Sequence, residues 1–172
     1  MSVKASYREE RLARLSGPGV VAAMHHSGQC HCGAVKVSFQ SERSPAELGV
    51  RTCQCDFCRR QGAVNISDPA GAIEIDCRPD DIHRYRFALR TADFLICRTC
   101  GTYVAAVMGE GERIVSTINV VGLRMADFLD IEEAPADFAA ETTGARIARR
   151  FDKWTPTRFT NPQLAASNFG PH

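Results

Sequence analysis

The sequence predicts a mainly β protein with short helical appendages at its N- and C-terminal ends. Two observations carry this. From Gly28 to about Val121, short segments alternate apolar and polar residues between turn residues, which is the period of half-buried strands. Helical spacing of apolar residues is confined to the two ends. A length of 172 residues suits one domain and can bury a core without disulfide staples. The chain reads as an N-terminal extension (1–27), a body (28–130), and a C-terminal helix and tail packed on or trailing that body (131–172).

In chain order, Tyr7–Leu15 has the spacing of a short amphipathic helix, stopped at Gly17-Pro18-Gly19. His25 and His26 at the border of the body are read as solvated. Ala34–Phe39 puts Val35, Val37 and Phe39 on one strand face. Ala72–Cys77 puts Ile73, Ile75 and Cys77 on one side, with Glu74 and Asp76 on the other. His83–Leu89, Phe94–Cys97, Tyr103–Met108 and Ile114–Val120 are further strands. Arg124–Leu129 is read as one or two helical turns. Gly144–Trp154 is read as a helix on the spacing of Ile147, Ala148, Phe151 and Trp154. The tail from Thr155, with Pro156, Pro162 and Pro171, is expected to be extended or partly loose.

Apolar residues at 44% and charged residues at 24% exclude wholesale disorder. A formal charge of +1, with no basic run interleaved with aromatics, disfavours a nucleic-acid partner. Arg84, Arg86 and Arg90 make only a modest basic strand edge. No stretch has the apolar length of a membrane span. Met1–Arg14 has no apolar segment of the kind a signal peptide needs, so the expected compartment is the cytoplasm. In that reducing setting, cysteines serve metals or catalysis more than disulfides.

Seven of the eight cysteines fall into three groups: Cys30-His31-Cys32-Gly33, Cys53-Gln54-Cys55-Asp56-Phe57-Cys58, and Cys97-Arg98-Thr99-Cys100-Gly101. Thiolates two or three residues apart can take two vertices of one metal tetrahedron, and zinc prefers four such ligands. Glycine after the last cysteine lets the backbone turn sharply beneath the sulfurs. The outer groups hold two thiolates each, so Cys30, Cys32, Cys97 and Cys100 together complete a closed, structural zinc site. The middle group offers Cys53, Cys55 and Cys58. Three protein ligands with one open position is the arrangement of a catalytic zinc, second and more labile than the first.

Other uses of the thiols compete with this division. Cys77 could be the fourth ligand of the middle group, but it shares an apolar face with Ile73 and Ile75 and is read as core. A thiol–disulfide enzyme needs one reactive pair near a βαβ unit, whereas these thiols cluster in strand-like sequence. The spacings are not those of common iron–sulfur proteins. His31, between two ligands, points away from their metal.

The run Gly28-Gln29-Cys30-His31-Cys32-Gly33-Ala34-Val35, the run Cys53-Gln54-Cys55-Asp56-Phe57-Cys58-Arg59-Arg60-Gln61-Gly62, and Cys97-Arg98-Thr99-Cys100-Gly101 resemble the glutathione-dependent formaldehyde-activating enzyme family. That family also includes centromere protein V. The resemblance runs from about Gly28 to Val121 and implies a β-tent fold, small antiparallel sheets around zinc. It implies a structural zinc on Cys30, Cys32, Cys97 and Cys100, and a second, exchangeable or catalytic zinc on Cys53, Cys55 and Cys58. It also implies carbon–sulfur lyase activity, with glutathione and formaldehyde as partners and S-hydroxymethylglutathione as product. Gln54 stands where relatives often carry His.

Two functions follow from an open zinc. In an enzyme, the vacant vertex turns a small thiol into a thiolate that adds to an aldehyde, or runs the reverse cleavage. Arg59 and Arg60, just after Cys58, are the candidate clamp for a substrate carboxylate, unless they are solvated or paired with Asp56. In the alternative, both zincs are structural and organise a surface for a protein partner.

Overall fold

A computed structural model describes residues 22–166. The helix expected over Tyr7–Leu15 lies outside these residues, as does Pro171. Among the described residues are eleven strands in one mixed sheet, with short helices around it.

The chain opens with β1 (Met24–Gln29) and β2 (Lys36–Ser41), an antiparallel hairpin paired along six residues of each strand. β1 therefore starts inside the stretch read as an extension. Its MHHSGQ sequence has no apolar alternation to betray a strand. In β2, Val37 and Phe39 turn inward between exposed residues, as their alternation requires. Helix α1 (Pro45–Leu48) begins at a capping box, in which Ser44 and Glu47 satisfy each other's backbone N–H groups. β3 (Val50–Cys53), α2 (Asp56–Arg60) and β4 (Asn65–Ile66) follow. β3 and β4 are too short to show a period.

Next come β5 (Ala72–Asp76), β6 (Ile82–Tyr85), β7 (Asp93–Cys97), β8 (Tyr103–Glu110) and β9 (Arg113–Asn119). β6 is shorter than the expected His83–Leu89, because the chain bends through positive φ at Ala88 and Arg90. The turns expected over Arg124–Leu129 reduce to one 3₁₀ turn, Ala126–Phe128. β10 (Glu133–Ala136) precedes α3 (Thr143–Lys153), which the Thr142 side chain caps by accepting from the Ala145 N–H. β11 (Thr155–Phe159) and α4 (Pro162–Ala166) complete the described chain.

The sheet is not a set of small antiparallel sheets. Its path runs β1-β2-β5-β11-β9-β4-β3-β10, with β6, β7 and β8 attached through β9. Two pairings are parallel, β11 on β5 and β10 on β3. The tail from Thr155, expected to be extended or partly loose, is extended over Thr155–Phe159, and there it forms an interior strand. β11 lies between β5 and β9 and joins the two wings, with Thr155 opposite Ser116 and Phe159 opposite Ile75. Pro156 is accommodated there at the start of a short pairing that uses only two residues of β9.

The larger core gathers Val35, Val37, Phe39, Ile73, Ile75, Leu95, Ile118 and Phe128 with Cys30 and Cys97. A smaller core gathers Phe94, Tyr103, Ala106, Met108, Val115 and Trp154 around Cys58. His26 is buried rather than solvated. It packs against Phe39 and Phe128, and its Nδ1 lies 2.6 Å from an Asp127 carboxylate oxygen. His25 is exposed.

Candidate metal centres and their cavity

The first cysteine group is assembled from two tight turns. Between β1 and β2, the Gly33 N–H donates to the Cys30 carbonyl at 2.9 Å, and the Val35 N–H reaches the Cys30 sulfur at 3.3 Å. Between β7 and β8, the Gly101 N–H donates to the Cys97 carbonyl at 2.9 Å. Gly33 (φ 79°) and Gly101 (φ 73°) both sit in the left-handed region, which a side chain would resist. Gly28 serves differently. A Cβ there would lie 2.8 Å from Met125 Cγ, so the strand leading to Cys30 packs where only glycine fits.

Cys30, Cys32, Cys97 and Cys100 bring their sulfurs within 4.8 Å of one another. Four sulfurs at ~2.3 Å from a central ion stand ~3.8 Å apart. The Cys30–Cys32 and Cys32–Cys97 separations are each 3.6 Å, so the donor set fits a tetrahedral metal. His31 is exposed between its two neighbours and takes no place in the group.

The second group sits where β3 meets α2. Cys53 ends the strand, Cys55 caps the helix by accepting the Cys58 N–H at 3.4 Å, and Cys58 is buried in the first turn. These three sulfurs also lie within 4.8 Å of one another. No fourth Cys, His, Asp or Glu joins them among the described residues. Hydrogen bonds from Cys53 and Cys58 hold the Cys55 thiol well below the usual range, while Cys53 and Cys55 push Cys58 up. Cys77 belongs to neither group and packs in the larger core.

The three-cysteine group opens on a cavity of about 840 Å³, within the range of small-molecule sites. Phe94, Tyr103 and Trp154 supply apolar wall. Tyr103 is fully buried, and burial followed by the charges of Cys58, Cys53 and Cys55 keeps its phenol neutral well above 10. Arg59 and Arg60 do not line the cavity. Both are exposed on α2, and Arg60 gives Nε to Asp56 at 2.8 Å. The guanidinium groups that do line it come from elsewhere: Arg43 before α1, Arg51 on β3, and Arg146, Arg149 and Arg150 on α3. The spacing of those three was visible in the sequence, but nothing local said that the helix turns that face inward. Arg84 and Arg86 are not a free basic edge either, since both pair with the buried Asp93.

A mainly β chain that presents one four-cysteine and one three-cysteine group defines a candidate two-metal protein. The model of the family described as "Glutathione-dependent formaldehyde-activating enzyme" matches residues 25–134, well over half of the chain, and the chain belongs to that family. A solved structure of a Rhodobacter sphaeroides protein from a structural genomics programme is similar. It is 28% identical, with 63% of this chain and 99% of that chain covered, at a TM-score of 0.47. Among the described residues, no helix is long and apolar enough to cross a membrane.

Proposed function

We propose that the protein is a zinc-dependent carbon–sulfur lyase that joins a small thiol, such as glutathione, to an aldehyde, such as formaldehyde, or cleaves the adduct. The observation that carries this reading is the three-cysteine group facing a cavity with no fourth Cys, His, Asp or Glu beside it among the described residues. Cys53, Cys55 and Cys58 would hold zinc there, and Cys30, Cys32, Cys97 and Cys100 would hold another that fastens two distant turns. When bound at the first of these, zinc supplies an open position at which a thiol gives up its proton.

The chain's own groups do the rest. The apolar wall of Phe94, Tyr103 and Trp154 limits water around the reacting atoms. Tyr103 offers a neutral phenol that donates a hydrogen bond as charge develops on the aldehyde oxygen. The proton lost by the thiol ends on that oxygen. Thiol plus aldehyde therefore gives a hemithioacetal with no net oxidation or reduction. The arginines lining the cavity would offset the net negative charge of three thiolates around a dication.

Cobalt substitution tests the reading. Adding glutathione to cobalt-loaded protein should strengthen the sulfur-to-metal charge-transfer band, and formaldehyde should then be captured faster than in buffer. Both effects should vanish in Cys55→Ser. A silent spectrum and unchanged rates across glutathione and a panel of small thiols would overturn the reading and leave a zinc-scaffolded interaction module.

A further inference from the structure

Strand register sets one wall of the cavity. Tyr85 on β6 stands opposite Phe94 on β7, Phe94 opposite Ala106 on β8, and Ala106 opposite Thr117 on β9. Directly opposed residues share a face of the sheet, so these four side chains form one row across four strands. The row steps down from two rings to a methyl group and a short branched side chain, and Phe94, Ala106 and Thr117 line the cavity. Ala106 and Thr117 are too small to fill the space beside a phenyl ring, so the row leaves a hollow there. Phe57 packs its ring on Phe94, with centroids 4.9 Å apart, and on Tyr103, at 5.2 Å. It lies between Cys55 and Cys58 in α2, which makes the apolar wall continuous with the turn that carries the three cysteines.

The loop between β6 and β7 adds Phe87, Ala88 and Leu89 to the lining. Ala88 (φ 50°) and Arg90 (φ 54°) both take the left-handed region, and the Arg90 N–H donates to the Phe87 carbonyl at 2.9 Å. The loop is thus a tight turn in a conformation that side chains resist. It seats the Phe87 ring on Phe94, with centroids 4.6 Å apart, and stacks it on Tyr85. Leu89 lines the cavity and is nevertheless 44% exposed. Together with the half-buried Phe87, it presents apolar surface that the chain itself does not cover.

Formaldehyde has no side chain to place against these residues, and glutathione is charged or amide-bearing along its length. We infer that the cavity is built for an apolar body, which in the proposed reaction is the alkyl or aryl side chain of the aldehyde. The carbonyl carbon meets the thiol at the three cysteines, and the side chain lies along Phe94, Ala106 and Thr117 beside Phe87 and Leu89. The bonds are those of the proposed reaction: sulfur to carbon forms, the carbonyl π bond opens, and the thiol proton goes to oxygen. Placing the apolar body on the aldehyde rests on the lyase reading, whereas the apolar body itself rests on the cavity wall alone.

Trp154 is the chain's one tryptophan and lines the cavity, so its fluorescence reports an occupant without any reaction. Titrating the zinc-loaded full chain with butan-1-ol, hexan-1-ol and octan-1-ol should shift that emission, with affinity rising about fourfold per added methylene. Leu89→Ser should flatten the rise. Leu129→Ser, at a position 48% exposed and away from the cavity, should leave it intact. With glutathione as the thiol, propanal, butanal and hexanal have near-equal carbonyl reactivity, and their acceleration over buffer should climb in the same order. Alkanol affinities that ignore chain length, or a rise that Leu89→Ser leaves intact, would overturn the inference even if thiols enter the cobalt spectrum. An acceleration that follows chain length among alkanethiols and not among aldehydes would overturn it as well, by placing the apolar body on the thiol. A rise that depends on Leu89, with no acceleration for any thiol–aldehyde pair, would uphold the apolar cavity and sink the lyase reading instead.

Discussion

Cys77 and Cys58 carry the same thiol and meet different surroundings, which decides what each can do. Cys77 is 8% exposed, and burial, then Asp81 and Asp76, pushes its thiol up to about 12. It stays a neutral, small hydrophobe beside Ile73 and Ile75. Replacing it by Ser puts a hydroxyl in that place and should cost roughly 1–3 kcal/mol in urea unfolding. Bound metal per chain should be unchanged, and a lost equivalent would make Cys77 a ligand. Glu141 is a second residue-scale case. Hydrogen bonds from Arg149 hold its carboxyl below the usual 4.5. Because the folded value is depressed, the stabilisation is present above the unfolded value and is lost as pH falls through the folded one. Glu141→Gln should therefore melt lower than the parent at pH 7, by roughly 1–2 kcal/mol. That gap should close below about pH 4, and a gap constant from pH 7 to 3 would rule the ion pair out as its source.

At the scale of elements, the two cysteine groups tie the fold together in unequal ways. Cys30 and Cys32 sit in the β1–β2 turn, while Cys97 ends β7 and Cys100 sits in the β7–β8 turn, so a metal there would close a long loop between distant pairings. Cys53, Cys55 and Cys58 lie within one strand–helix junction, already fixed by the Gln54 N–H on the Ala136 carbonyl at 2.9 Å. Metal bound at the first group would therefore contribute folding energy, whereas at the second it would add little to the fold. Cys100→Ser should lower solubility and melting temperature sharply, and Cys55→Ser should do so mildly. The reverse order in thermal melts would exchange the structural and functional assignments. Helix α3 is legible in sequence as a helix, through Ile147, Phe151 and Trp154. Its inward face is not, since Arg150 is buried there and Ala148, counted on the apolar stripe, is exposed.

On the scale of the whole molecule, β11 matters most. It is parallel to β5 and antiparallel to β9, and so joins the hairpin wing to the wing that holds the cavity. A chain ended at Lys153 would leave both neighbours with open edges and strip Trp154 and Phe159 from the two cores. It should be recovered insoluble or with broad, non-cooperative melting, and a soluble truncation with a sharp transition would show that β11 is dispensable. The sequence by itself determined the strand-rich body, most of its strands, and the division of seven cysteines into four and three. These are local patterns: side-chain alternation within one strand, and ligand spacing within one turn. It left open where β11 would insert, that β1 and the short β3, β4 and β10 would pair, and that α3 would turn arginines rather than only apolar residues toward a cavity shared with Cys53, Cys55 and Cys58. Those are decided by partners far along the chain. Strand pairing is a contact between two edges, and the direction of a helix face is set by what it packs against, so neither is encoded in the residues of one element alone.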